Sequence, residues 1–204
     1  MFRLIVALLL LLAPLAAQAD GCGPPAGGPA LAPLSVQIDD VTIDAALRLE
    51  VNRARCAAGL APLAPMPPLA VVARDYARWM ATTGRLTHAG GPPGRDSLVA
   101  RLAAAGAGFS AAGETIATAS FYALDGVTVR QGRGLCVFIG PDGAVIPVQS
   151  AASLAAEVVA GWMASPPHRA NLLDPRVRAM GAGAGLDPKG DLCGTLYIAA
   201  DLFG

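Results

Sequence analysis

Two runs near the carboxyl end, Arg178-Ala-Met-Gly-Ala-Gly-Ala-Gly185 and Thr195-Leu-Tyr-Ile-Ala-Ala-Asp-Leu202, read as strands separated by the turn residues Asp187-Pro188-Lys189-Gly190. The pair is expected to lie antiparallel. Gly181-Ala182-Gly183-Ala184-Gly185 has the glycine spacing of a nucleotide loop, but no helical pattern follows it, so it is no dinucleotide fingerprint. Small residues inside a strand instead allow another element to approach the backbone closely.

Upstream, the periodicity is helical. Ile43, Leu47, Val51, Ala54 and Ala58 recur at three- and four-residue spacing and Gly59 stops the run, with Arg48, Asn52, Arg53 and Arg55 assigned to the outer face. Pro62, Pro65, Pro67 and Pro68 form a stiff connector, after which Leu69, Ala73, Tyr76 and Met80 repeat the stripe as far as Gly84. A shorter helix is expected over about 96–105, capped by Asp96 or Ser97 and ended by Gly106. Glu114 to Thr118 reads as a short strand. Leu135–Ile139 and Ala144–Val148 flank Gly140-Pro141-Asp142-Gly143 as a hairpin, and a fourth helix runs from about Ser153 to Ala164. Trp79 and Trp162 sit on helical stripes and are expected in the core. Helices first and antiparallel strands last make this an α+β layer fold rather than a series of β-α-β units.

The 204 residues carry 15 Lys+Arg and 15 Asp+Glu, and this zero net charge argues against nucleic acid or an acidic membrane surface as partner. Met1-Phe2-Arg3, the apolar run Leu4–Ala13 and Ala17-Gln18-Ala19 have the layout of a secretory signal peptide over 1–19. Pro14 and Gln18 interrupt the run too early for a membrane span, and no later stretch is long enough for one. A Gly/Pro-rich arm, 20–40, is expected to lie outside the core, and the domain proper occupies 41–204 with an insertion at about 120–150. Secretion or a periplasmic location follows. Acylation of Cys22 ranks second, because Asp20-Gly21 is a poor signal for it. In an exported chain Cys22, Cys56, Cys136 and Cys193 imply disulfides, with three pairings open. Cys22–Cys56 would tie the arm to a helix end. Cys136–Cys193 would join two strand-like runs by closing a long loop, worth roughly 4 kcal/mol in the chain-entropy model.

The chain has only two histidines, His88 and His168, both read as lying just outside helices, and Glu114 stands between them in sequence. With Asn52-x-x-Arg55, Gly59-Leu60-x-Pro62-Leu63, Leu69 to Met80, His88, Arg101, Gly106, Gly113-Glu114, Trp162-Met163-x-Ser165-Pro166-x-His168-Arg169-x-Asn171-Leu172, Gly181-x-Gly183 and Tyr197 to Phe203 in order, the sequence resembles the CAP or SCP domain superfamily of cysteine-rich secretory proteins, antigen 5 and pathogenesis-related proteins, in its bacterial branch. The resemblance implies an α-β-α sandwich with a small, mostly antiparallel sheet between helices. It also implies a central cleft of two His and two Glu that in some members binds a divalent metal. His88, Glu114 and His168 carry over; the fourth acid is replaced by Ser165, and Glu157, the nearest substitute, lies more than a helical turn from that position.

Two imidazoles and a carboxylate can hold Zn²⁺ or another divalent ion and leave a position open, with affinity falling as protons compete for the nitrogens. The alternative is a metal-free pair of histidines bonded to Glu114. Arg169 is placed to pair with Glu114 or an anionic ligand, and Ser165 borders the cleft. No catalytic residue is assigned: the chain lacks a G-x-S-x-G elbow and a His-Glu-x-x-His helix, and Ser165 near His168 is read as a helix stop. The functional expectation is an exported binding domain for a metal, a small molecule or a lipid. A metal-dependent hydrolase of the envelope or of secreted proteins, and a disulfide-stapled module docking an envelope or extracellular protein through the 120–150 insertion, are the alternatives.

Overall fold

In the computed structural model, which describes residues 22–23, 27–106, 108 and 110–204, helix α1 spans Asp40–Ala57. Asp39 caps it by accepting from the Val41 and Thr42 amides, and Gly59, with φ of 74°, follows its end. The signal-like segment 1–19 lies outside the described residues. The proline connector holds a two-residue strand, β1 (Ala64–Pro65), and leads into α2 (Pro67–Thr83), closed by Gly84 in the left-handed region. Ser97 caps the short α3 (Leu98–Ala104). Strand β2 (Ala112–Ser120) is longer than the five residues expected. Two further helices, α4 (Ala151–Ala164) and α5 (Pro166–Leu172), precede the long strands β5 (Ala179–Asp187) and β6 (Thr195–Phe203). Between β2 and α4 lie the paired short strands β3 (Arg130–Gln131) and β4 (Phe138–Ile139).

The main sheet has the order β1-β5-β6-β2 and is antiparallel except for β1, which runs parallel to β5. The side-chain alternation of a strand therefore feeds two cores. Leu196, Ile198, Ala200 and Leu202 of β6 pack with Met180, Ala182 and Ala184 of β5 against Ile43, Leu47 and Val51 of α1 and Leu154, Val158 and Trp162 of α4. On the other face Tyr197, Ala199 and Ile116 meet Ala73, Tyr76, Ala77 and Met80 of α2. This is an α-β-α sandwich. Its second face is thin because Gly181, Gly183 and Gly185 all face α2: a Cβ on them would lie 2.1 Å from the Ala70 nitrogen, 2.4 Å from the Arg74 Cα and 2.6 Å from the Ala77 carbonyl oxygen. The close approach inferred from the glycine run is thus a helix laid directly on strand backbone.

Several expectations need correction. Asn52 and Arg55 are not on an outer face: they are 2% and 1% exposed. Asn52 exchanges two hydrogen bonds with the backbone of Leu63, and the Arg55 guanidinium donates to the carbonyls of Ala61, Leu172, Asp174 and Val177, pinning the ends of α1 and α5 together. A buried cation saturated by backbone carbonyls leaves no apolar signature in the sequence. The arm does not stay outside the core from residue 28 onward. A 3-10 turn over Gly28–Leu31 buries Ala30, and the Leu34 amide donates to the Gln149 carbonyl. The Gly140–Gly143 turn forms, but its flanks meet in only a single bridge, Ile139 with Val145, and the ladder runs instead between Arg130–Gln131 and Phe138–Ile139. No helix was expected over α5, where His168 was placed just outside a helix. Pro166 and Pro167 open it, since their missing N–H groups and fixed φ suit a first turn.

Both disulfides have the favoured connectivity, Cys22–Cys56 and Cys136–Cys193. Trp162 is buried at 2%, whereas Trp79 is half-buried and stacks on Tyr76 with ring centroids 5.7 Å apart.

Two glycine-to-alanine changes should have opposite signs. Gly183→Ala forces a methyl into the backbone of α2 and should lower unfolding free energy by about 2–3 kcal/mol. Gly161→Ala, at a helical site with nothing within 4 Å of the added Cβ, should raise it by roughly 0.5–1 kcal/mol. Urea denaturation of the two variants measures both.

Candidate functional site

Glu114 lies near the start of β2, 5% exposed, and is the centre of a polar cluster on the α2 face of the sheet. One carboxylate oxygen, Oε1, is 2.7 Å from Nδ1 of His88, and the other, Oε2, accepts from the Arg101 guanidinium. Arg101 is 0% exposed: its other arm donates to the Gly90 carbonyl at 3.1 Å, and its Cζ sits 3.6 Å from the centroid of the Tyr76 ring. The Tyr76 hydroxyl donates to the Thr87 carbonyl. Burial first, and then the Glu114 charge, push that phenol up to about 12, which keeps the hydroxyl a donor. Helix α2 thus fixes the loop that carries His88, α3 supplies the cation, and β2 the carboxylate.

The ionised Glu114 can only accept, so His88 presents Nδ1–H to it and carries its lone pair on Nε2. The side chain of His88 is 56% exposed, and among the described residues that second nitrogen has no partner. His168 lies inside α5, not beyond a helix end as expected. Its position is set by Asn171, one turn further along the same helix, whose side-chain amide donates to the Glu114 carbonyl at 3.0 Å. Trp162 of α4 donates in the same way to the Ile116 carbonyl, also at 3.0 Å. These two carbonyls, two residues apart on the strand opposite to its β6 partner, belong to the outer edge of β2, and side chains from α4 and α5 cover it. Gly113 leaves room for Asn171: a Cβ there would come within 3.4 Å of its side chain. The His168 pKa is lowered by burial and, next, by the charge of His88.

Of the candidate residues, His88 and Glu114 are in direct contact, and His168 is on the helix that Asn171 ties to the Glu114 carbonyl. Arg169 does not pair with Glu114: its guanidinium donates to the Met163 carbonyl, and the buried Arg101 holds the carboxylate instead. Ser165 is the junction of α4 and α5 and makes no side-chain cap. Glu157 faces elsewhere, as expected, bonded to Gln149 at 2.7 Å. Among the described residues no three His, Cys, Asp or Glu side chains converge closely enough to hold a metal ion by themselves.

Asp201 of β6 was not singled out. It pairs with Glu114 across the β2–β6 ladder, is 0% exposed, and neither carboxylate oxygen has a hydrogen-bond partner among the described residues. Burial, and next the Glu114 charge, push its carboxyl well above the ordinary range, against the pull of Arg101. The surroundings therefore disfavour a second negative charge beside Glu114. An acid alternating with Ala199 and Tyr197 toward the thin face of the sheet was the available signal.

Glu114→Gln leaves the Arg101 cation buried and unpaired and should cost about 3–5 kcal/mol of stability, read by chemical denaturation. Asp201→Asn should act through pH. A carboxyl whose folded pKa lies above its ordinary 3.8 contributes stability that is complete below that value and is lost as pH rises through the folded pKa. The asparagine variant should therefore lose less stability than the wild type as pH rises above about 4, as denaturation midpoints along a pH series would record.

The family model for the cysteine-rich secretory protein (CAP) family matches residues 49–199. No curated protein sequence matches significantly. Among solved structures, an extracellular protein containing an SCP domain from Bacillus anthracis str. Ames superposes with a TM-score of 0.55 at 21% identity, over 84% of this chain and 44% of that one. This chain thus spans less than half of the Bacillus protein. An outer surface protein from Borrelia burgdorferi superposes with a TM-score of 0.52 at 17% identity, over 84% of this chain and 97% of that one. At these identities the likeness is one of fold. With three quarters of the sequence matched by the family model and the sandwich in place, the chain belongs to the CAP, or cysteine-rich secretory protein, family.

Proposed function

We propose that this CAP domain is an exported, non-catalytic binding protein whose cleft beside His88, Glu114 and His168 takes a small ligand or a divalent ion. The observation that carries this reading is the full engagement of Glu114. Arg101 holds one oxygen and His88 the other, and the carboxylate is almost wholly buried, so it is poorly placed as a general base. What the site offers outward is imidazole nitrogen: Nε2 of His88, oriented by the carboxylate behind it, and the ring of His168, whose pKa is lowered by burial.

The donor set fits a divalent ion held by two imidazoles, with Glu114 as the orienting carboxylate behind His88 and the remaining positions taken by a bound ligand or water. Zn²⁺ or a similar ion would supply a Lewis-acidic anchor for an anionic or carbonyl group of that ligand. Such a site exchanges its metal readily, unlike a closed four-ligand structural site. Export is supported by the signal-like amino terminus and by two disulfides, which persist in an oxidising compartment. The sulfur of Cys22 is engaged with Cys56, which supports secretion over acylation at that residue. Among the described residues no helix is long and apolar enough to cross a membrane.

Calorimetric titration with Zn²⁺ at neutral pH should give one site in the wild type. His88→Ala and His168→Ala should each weaken it by tenfold or more, and the wild-type affinity should fall as pH drops through the histidine range near 6.5. Absence of binding at neutral pH, or binding indifferent to both substitutions, would remove the metal-assisted form of the reading.

A further inference from the structure

Among the described residues only three non-glycine residues have positive φ, and all three belong to one disulfide and its neighbour: Cys136 at 61°, Cys193 at 66° and Leu192 at 51°. The left-handed region is unfavourable for L residues because Cβ crowds the following carbonyl, and least of all suits a γ-branched apolar side chain with no local hydrogen bond to offer. Such strain persists where surrounding bonds impose it. Here the Cys136–Cys193 bridge joins the 120–150 insertion to the turn between β5 and β6. Both cysteines are part-exposed, and Leu192, beside the bridge, is 53% exposed. Burial therefore does not stabilise these three conformations; the covalent link and the tight turn do.

The bridged turn also borders an open hollow. A cavity of about 390 Å³ lies between the end of the sheet and the insertion. Leu124 and Asp125 wall it from the insertion, Asp191 and Leu192 from the strained turn, and Ser120 and Thr195 from the sheet. The insertion has its own anchorage independent of the bridge. Phe121, 8% exposed, belongs to the core shared with α1 and α4, Tyr122 and Val148 pack against it, and the Gln149 side chain donates to Glu157 of α4 at 2.7 Å.

We infer that Cys136–Cys193 is a reducible latch: thiol exchange with an external dithiol releases the 191–193 turn from the insertion and widens the hollow that this turn borders, while the sandwich stays folded. The dithiol's thiolate attacks one sulfur of the bridge to form a mixed disulfide and expels the other as a thiolate. The dithiol's second thiol then resolves the mixed disulfide. The bridge gains two electrons and two protons, and the dithiol is oxidised to its disulfide. Release lets Cys136, Leu192 and Cys193 return to ordinary backbone conformations, and that relaxation favours the reduced form, as is general for strained and accessible bridges. The aromatic anchorage keeps the opening local.

Equilibrating the intact protein in buffers of reduced and oxidised dithiothreitol, then alkylating free thiols and mapping them by mass, measures the latch directly. The expected result is reversible opening of Cys136–Cys193 with native circular dichroism retained. Amide exchange should rise at 121–125 and 191–194 and stay unchanged over 67–83. Leu192→Gly, which removes the unfavourable left-handed side chain, should lower the reduction equilibrium constant by about threefold or more. The Cys136→Ser/Cys193→Ser double variant, without any reductant, should show the exchange pattern of the reduced wild type. Reduction only together with global unfolding, an unchanged equilibrium in Leu192→Gly, or unchanged exchange at the turn would each overturn the inference. None of these readouts involves His88 or His168, so the latch stands or falls apart from the binding reading.

Discussion

The close approach of α2 to β5 is the constraint on which the rest of the molecule depends. Three glycines at alternate positions remove every side chain from that strip of the sheet, so the helix axis settles nearer than any packed layer of aliphatic side chains would allow. The two faces of one sheet are consequently built on different principles. One is a conventional apolar core, with leucine, isoleucine and valine from β6, α1 and α4 interdigitating. The other is thin, largely alanine and glycine, and its few large residues stand at one end of α2, where Tyr76 and Met80 fill the space that Ile116 and Tyr197 leave.

That thin face ends in the polar cluster. Because α2 lies so close, Tyr76 comes over the β2–β6 pair, and the planar guanidinium of Arg101 fits between its ring and the Glu114 carboxylate. A cation and an anion are thus buried in contact, and the same surroundings disfavour a charge on Asp201, so the ionised groups out of water are paired. The arrangement has a directional consequence. Each hydrogen bond on the inside fixes a group that faces outward: Tyr76 holds the His88 loop through Thr87, Glu114 sets the ring of His88, and Asn171 seats the helix that carries His168. The outer edge of β2, which would otherwise present free carbonyls, is covered by the same contacts.

Much of this was legible in one dimension because the signals are local. The stripes Ile43–Leu47–Val51 and Leu69–Ala73–Tyr76–Met80 predict their helices to within a few residues, since amphipathic periodicity and glycine stops act over single turns. The terminal strands and both favoured cysteine pairings were also readable, as was a bond between His88 and Glu114, through motif order and the scarcity of histidine. What failed shares one physical character. Arg55, Asn52 and Arg101 are polar residues buried by long-range backbone or carboxylate partners, and a sequence pattern that sorts residues by polarity places them outside. Arg169 offered the same charge next to His168 in sequence, but its guanidinium is held by the Met163 carbonyl near the end of α4 and Glu114 is held from the opposite side.

The sequence by itself determined the helices of an α+β domain, the long antiparallel strands and the glycine strip, because propensity, periodicity and steric size are properties of neighbouring residues. Only the tertiary structure decided that β1 joins the sheet in parallel, that the arm docks against the insertion, that Asp201 stands opposite Glu114, and that Arg101 rather than Arg169 neutralises it. Those outcomes rest on contacts between segments that meet only when two sheet faces close at once. The energy of a buried charge depends on which partners that closure brings within hydrogen-bond reach.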